Sequence, residues 1–148
     1  MTQQIERILV GVDGSADSRR ALEWAMLLAG RFDAELLAVH AVGLLSRLGD
    51  GATVPSQSHR EELRQVFESE WCAPLVHQGT NYRTFLEDGP PVLVLLQVAE
   101  RERADLSVVG SRGEGGFAEL LLGSTSHQLA EHSGRPVLIV PGERPGSA

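Results

Sequence analysis

The sequence predicts an α/β fold, a layered sandwich of helices packed on a parallel sheet. Three observations point there. Short apolar runs of the kind that form strands buried on both faces recur along the chain. Between them lie segments whose apolar residues repeat at three- and four-residue steps, the mark of amphipathic helices. Strand alternating with helix implies β-α-β units, a parallel sheet and right-handed crossovers.

The elements follow in order. Ile8 to Val12 is an apolar run interrupted only by Gly11, and it ends at the turn Asp13-Gly14-Ser15, where Ser15 can cap a helix. From Ala16 to Phe32, residues Ala21, Leu22, Ala25, Leu28, Ala29 and Phe32 define an amphipathic helix, with Trp24 expected at the edge of the core. Leu36 to Val42 reads as a second buried strand holding His40, and Gly43 to Pro55 as a loop. Ser58 to Trp71 has Leu63, Val66, Phe67 and Trp71 at helical spacing. Tyr82 to Leu86 alternates as a strand and closes on Glu87-Asp88-Gly89-Pro90-Pro91, where Pro91 suits the first turn of a helix running from Val92 to Arg103. Leu106 to Gly110 is a strand, Ser124 to His132 a helix and Val137 to Val140 the last strand. The segment from Pro141 to Ala148, with two prolines and two glycines, is expected to fray. No linker divides the chain, so residues 1–148 read as one domain.

Composition narrows the function. With 148 residues, 42% hydrophobic and 22% charged, the chain is long enough and apolar enough for a proper core. The net charge of −7 argues against a nucleic-acid surface. All 13 basic residues are arginine, which removes the P-loop lysine and any Schiff-base or general-base lysine. No run approaches the roughly 18 apolar residues of a membrane helix. MTQQIERILV lacks the basic and apolar regions of a secretory signal, so the cytoplasm is the expected compartment. Cys72 alone supports neither a disulfide framework nor a cysteine metal cluster, and it is expected to pack.

The chemistry concentrates between Leu106 and Glu131. After the strand come glycines at 110, 113, 115 and 116, then Leu120 to Leu122, Gly123, and three hydroxyl residues, Ser124, Thr125 and Ser126, opening a helix. Free amides and the dipole at a helix N-terminus favour an anion, and glycines let backbone approach it closely. This is a phosphate site. In open α/β sheets ligands sit at the carboxyl ends of strands, where Asp13 also falls and where its carboxylate could accept ribose hydroxyls or help hold a metal ion. Arg112 reads equally as a phosphate contact or a solvated side chain. Gly113-Glu114-Gly115 with Ala118 mimics a dinucleotide fingerprint, but lies too late in the chain and lacks the acidic strand end. Ser111 is no nucleophile elbow, because Val109 stands where that motif needs glycine. His127 and His132 are five apart, not the four that would pair them as metal ligands on one face.

Gly110-Ser111-Arg112-Gly113, nine residues, then Gly123-Ser124 resembles the G-2x-G-9x-G-S/T signature of the universal stress protein family. RILVGVDGSADSRRALEWA from Arg7, LLAVHAV, RADLSVVGSRG and RPVLIVP are similar to the family's other segments, so the resemblance covers nearly the whole chain. It implies a three-layer sandwich, Rossmann-like and similar to the adenine nucleotide alpha hydrolases, with a five-stranded parallel sheet ordered 3-2-1-4-5. It also implies ATP, or ADP or AMP, with Mg²⁺ or Mn²⁺. Adenosine would be held by Asp13 and Ala41, with Asp13 indirectly at the metal. The phosphates would lie along Gly110, Arg112, Gly113, Gly123, Ser124, Thr125 and Ser126. A homodimer would form through Val137, Leu138, Ile139 and Val140, with no nucleic acid or membrane as partner. The implied role is regulation in a stress response, with slow ATP hydrolysis at most and no catalytic residue. The alternative is a nucleotide-free scaffold of the same fold.

Overall fold

At the centre of the molecule lies a five-stranded sheet in the order β3-β2-β1-β4-β5, with every adjacent pair parallel. It is seen in a computed structural model that describes residues 4–42, 57–112 and 123–142. The elements are β1 (Arg7–Gly11), α1 (Ala16–Phe32), β2 (Glu35–Val42), α2 (Gln57–Val66), α3 (Ala73–His77), β3 (Tyr82–Asp88), α4 (Pro91–Arg101), β4 (Leu106–Gly110), α5 (Ser124–His132) and β5 (Val137–Val140). The chain builds outward from β1 through β2 to β3, then returns to lay β4 on the other side of β1. In open α/β sheets, ligands bind at such a reversal, beyond the carboxyl ends of the two strands.

Two cores flank the sheet. Ile8, Val10, Leu36, Ala38 and Val108 point to the layer formed by α1, Phe67 and Leu75. Leu9, Leu37, Val39 and Val109 point to the layer of α4 and α5, with Val94, Val98 and Leu129. Successive strand residues face opposite layers, and the central strands are buried on both sides, which is why they read as unbroken apolar runs. Each fully buried Leu, Ile or Val contributes roughly 1.5–3 kcal/mol over leaving it exposed.

Helix ends are set by local chemistry. Ser15 caps α1 by accepting the Ser18 amide at 3.2 Å. At the other end Asp33 turns left-handed, φ 56°, and Ala34 N–H reaches back to Ala29. The same device ends α4 at Arg101, two residues earlier than the sequence suggests. Arg103 adopts φ 56°, and Ala104 N–H bonds Ala99.

The expected helix from Ser58 to Trp71 is not one helix. α2 stops at Val66, and Phe67 to Trp71 widen into a π-helical turn, with Cys72 N–H bonding the Phe67 carbonyl at 3.0 Å. The chain then re-enters helix at Ala73. Pro74 has no N–H and is tolerated only in a first turn, so helix must restart before it. β3 extends to Asp88, beyond the expected Leu86. Trp24 lies 47% exposed on the outer side of α1 and covers no core edge. Among the described residues, no helix is long and apolar enough to cross a membrane.

Candidate functional site

The carboxyl ends of β1 and β4 come together at one level. The register pairs Gly11 with Val39 and Val10 with Val108. Beyond Gly11 the chain leaves the ladder: Val12 N–H still bonds the Val39 carbonyl at 2.8 Å, but the Asp13 amide turns to Ser18 Oγ. Residues separated by about a hundred positions in sequence thus share one edge of the sheet.

The turn after β1 is held by its own short polar side chains. Asp13 Oδ1 accepts the Ser15 amide at 2.9 Å and the Ser15 hydroxyl at 2.5 Å, an Asx turn. Ser18 Oγ accepts the Asp13 amide and donates to the Ser15 carbonyl, each at 3.2 Å. Gly14 has φ +82°, and an added Cβ would lie 2.5 Å from the Trp71 ring. Only glycine fits there. His40, on β2, bonds the Val12 carbonyl through Nδ1 at 2.7 Å and meets the edge of Trp71 at 5.0 Å. Because a carbonyl can only accept, Nδ1 carries the proton. A cleft of about 130 Å³ opens beside this turn, lined by Val12, Gly14, Ser15, Arg19, Glu70 and Trp71.

The segment after β4 divides its bonds between the two layers. Ser111 N–H continues the ladder to the Val140 carbonyl at 2.8 Å. The Ser111 carbonyl accepts the Gly123 amide at 2.5 Å and the Ser126 hydroxyl at 2.9 Å, which fixes the start of α5 against the end of β4. The first helical bond of α5 runs from His127 N–H to the Gly123 carbonyl. The amides of Ser124, Thr125 and Ser126 therefore open the helix as the orphan donors that every helix N-terminus carries. Gly123 brings no side-chain cap. Ser124 is exposed and Thr125 partly so, whereas Ser126 is 2% exposed.

The residues expected in the site thus divide by role. Asp13 follows β1, Ala41 lies in β2, Gly110 ends β4, and Gly123, Ser124 and Thr125 open α5. A Cβ on Gly110 would meet the Asp17 backbone at 2.8 Å, so this glycine serves the packing of α1 on β4. Ser126 offers its amide, but its hydroxyl is turned inward to the Ser111 carbonyl. Arg112 is directed to a partner the sequence did not reveal. Its amide donates to Asp17 Oδ2 at 3.1 Å, and its guanidinium Nε lies 3.8 Å from the same oxygen. Gly113 lies outside the described residues. His127 pairs with Glu131 at 2.8 Å. Cys72 is fully buried, and burial, followed by the nearby charge of Glu68, pushes its thiol up to about 12. Among the described residues no three His, Cys, Asp or Glu side chains gather as a metal site. Asp13 alone cannot cage a divalent ion, so a cation here would have to arrive with phosphate oxygens as its other ligands.

The universal stress protein family profile matches residues 4–141. The chain belongs to the universal stress protein family. It is 35% identical over 145 residues to a universal stress protein of Bacillus subtilis, YxiE, an alignment covering 90% of this chain and 97% of that one. A Thermus aquaticus relative is 34% identical over 134 residues, covering 90% and 96%. Among solved structures, a universal stress protein in complex with cAMP superposes with a TM-score of 0.71 at 29% identity, covering 93% of this chain and 98% of that one. An Arabidopsis thaliana family protein with AMP bound superposes with a TM-score of 0.67 at 21% identity, covering 97% and 95%, a likeness of fold. The five-stranded order observed here is the one the family resemblance implied.

Proposed function

We propose that this universal stress protein is a regulatory adenine-nucleotide-binding protein of the cytoplasm, acting in a stress response. The observation that carries the reading is the uncapped N-terminus of α5. Its start is held against Ser111 by the Gly123 and Ser126 bonds to the Ser111 carbonyl. A phosphate there gains charge-assisted hydrogen bonds and the positive end of the helix dipole. Asp13, just past the end of β1, and the backbone at Ala41 in β2 take the nucleoside, the carboxylate accepting ribose hydroxyls. Gly113 completes the phosphate loop by its place in the motif.

The cAMP complex of a relative 29% identical supports the nucleotide class. ATP, ADP and AMP are the candidate occupants, with Mg²⁺ or Mn²⁺ accompanying the polyphosphates. Binding, with slow hydrolysis at most, is the activity this site suits, because its recognition elements are amides and a turn-locked carboxylate. The functional unit is a homodimer paired along Val137 to Val140, an apolar edge strand.

Mass spectrometry of small molecules released from freshly purified protein tests the reading. An adenine nucleotide is the expected result. Release of nothing, together with no heat of binding on titration with AMP, cAMP or ATP, would contradict it and leave a nucleotide-free scaffold.

A further inference from the structure

Asp17 packs against the end of β4, and nothing in the motif assigns it a role. From the first turn of α1 its Oδ2 accepts the Arg112 amide at 3.1 Å and the Ser111 hydroxyl at 3.3 Å, and lies 3.8 Å from Arg112 Nε. The side chain is 15% exposed. Backbone confines it, since a Cβ on Gly110 would meet Asp17 at 2.8 Å and one on Gly142 would collide with its carboxylate. Two hydrogen bonds, through Arg112 or Ser111 and then through the Ser111 carbonyl to Gly123, join this carboxylate to the start of α5. A partly buried charge so placed is screened by salt less than an exposed one.

Arg19 and Arg20 follow it on α1, Arg20 bonding the Pro141 carbonyl, but the segment that carries the motif offers little positive charge of its own. From Gly110 to Ser126 the chain has one basic side chain, Arg112, against Glu114 and Glu119. Asp17 pairs with that one arginine and occupies its amide.

We propose that Asp17 sets how many phosphates this site accepts. By holding Arg112 it withdraws the local cation and one loop amide from phosphate recognition, so the cradle tolerates the small charge of a mono- or cyclic monophosphate. A triphosphate enters only as its divalent-metal complex. Asp17 is a specificity-determining positioning residue, acting through Arg112 and through its own charge. The proposal rests on the adenine-nucleotide reading above.

Calorimetric titration of the full chain with AMP and ATP, each in EDTA and in Mg²⁺, tests it. For the unaltered protein, AMP affinity should ignore the metal, whereas ATP should bind about tenfold or more weakly than AMP in EDTA and recover in Mg²⁺. Asp17→Asn keeps an acceptor for the amide but removes the charge and releases Arg112, so the gap in EDTA should shrink several-fold while AMP affinity stays nearly constant. Equal ATP and AMP affinities in EDTA, or a gap unchanged in Asp17→Asn, would overturn the proposal and leave the nucleotide reading intact. Failure of both ligands under every condition would overturn both. Arg112→Gln is the second variant: leaving Asp17 uncompensated, it should widen the gap, and an unchanged gap would count against the proposal. Amide exchange at Arg112 gives a reading free of nucleotide. It should be slow in the unaltered protein and fast in Asp17→Ala, and fast exchange in both would remove the tether on which the proposal depends.

Discussion

Ser15, Ser18, Ser111 and Ser126 organise the segments after β1 and β4 through short bonds that hold turns and helix starts in place. Ser15 could be read from the sequence as a cap because capping is local: the acceptor and the Ser18 amide lie three residues apart. Ser126 could be read as belonging to a helix start, but not as an inward anchor, since its acceptor sits fifteen positions away on another element. The Ser126 hydroxyl is buried and leaves the Ser111 carbonyl a second donor. Ser126→Ala should therefore cost about 1 kcal/mol of stability, since the carbonyl keeps the Gly123 amide. Urea denaturation checks this, and an unchanged midpoint would show that the bond contributes nothing. Asp17 and Arg112 were illegible as a pair for the same reason of distance, being 95 positions apart. Asp105 is a similar case: its carboxylate accepts the amides of Glu6 and Arg7, tying β4 to the start of β1.

Cys72 supplies a pH prediction at the same scale. Its thiol is raised from 9.0 to about 12 by burial first and by Glu68 second. An acid whose folded value is raised stays neutral in the fold while the unfolded chain ionises. The thiol's contribution is thus full below pH 9.0 and is lost progressively as pH rises toward 12. A thiol reagent at pH 8 should react with Cys72 only in denaturant. Stoichiometric labelling of the native protein would contradict this.

Among whole elements, the strands of the sheet were legible because burial on both faces leaves an unmistakable apolar run, as in Ile8-Leu9-Val10, each 0% exposed. The region after Val66 was not, because helical spacing alone does not distinguish an α-turn from a π-turn. What decided it was Pro74 downstream together with the need to bury Phe67 and Leu75. The π-turn carries Trp71 onto Gly14, a contact between elements that no local pattern encodes. Trp24, Leu27 and Phe32, about half exposed on α1, similarly escape a reading based on periodicity, which marks apolar residues without saying which are covered. β5 lies at the edge of the sheet, with Val137, Leu138 and Ile139 only partly buried. An exposed apolar edge is a template for another strand. Light scattering should accordingly give twice the chain mass of 16.0 kDa, and a monomer at micromolar concentration would contradict pairing through β5.

For the molecule as a whole, the two helical layers follow from how the chain alternates and the sheet order from the family resemblance, and the proposed site depends on the reversal that sets β4 beside β1. The glycine-and-hydroxyl motif marks one half of the proposed site and Asp13 the other. With a net charge of −7, the proposed phosphate recognition would depend on amides and dipoles more than on cations. The most direct test of that claim is the ¹⁵N–¹H spectrum of the labelled protein titrated with AMP and, separately, with adenosine. The Ser124, Thr125 and Ser126 amides should shift with AMP and stay in place with adenosine. Saturable AMP binding that leaves those three amides unmoved would contradict the account.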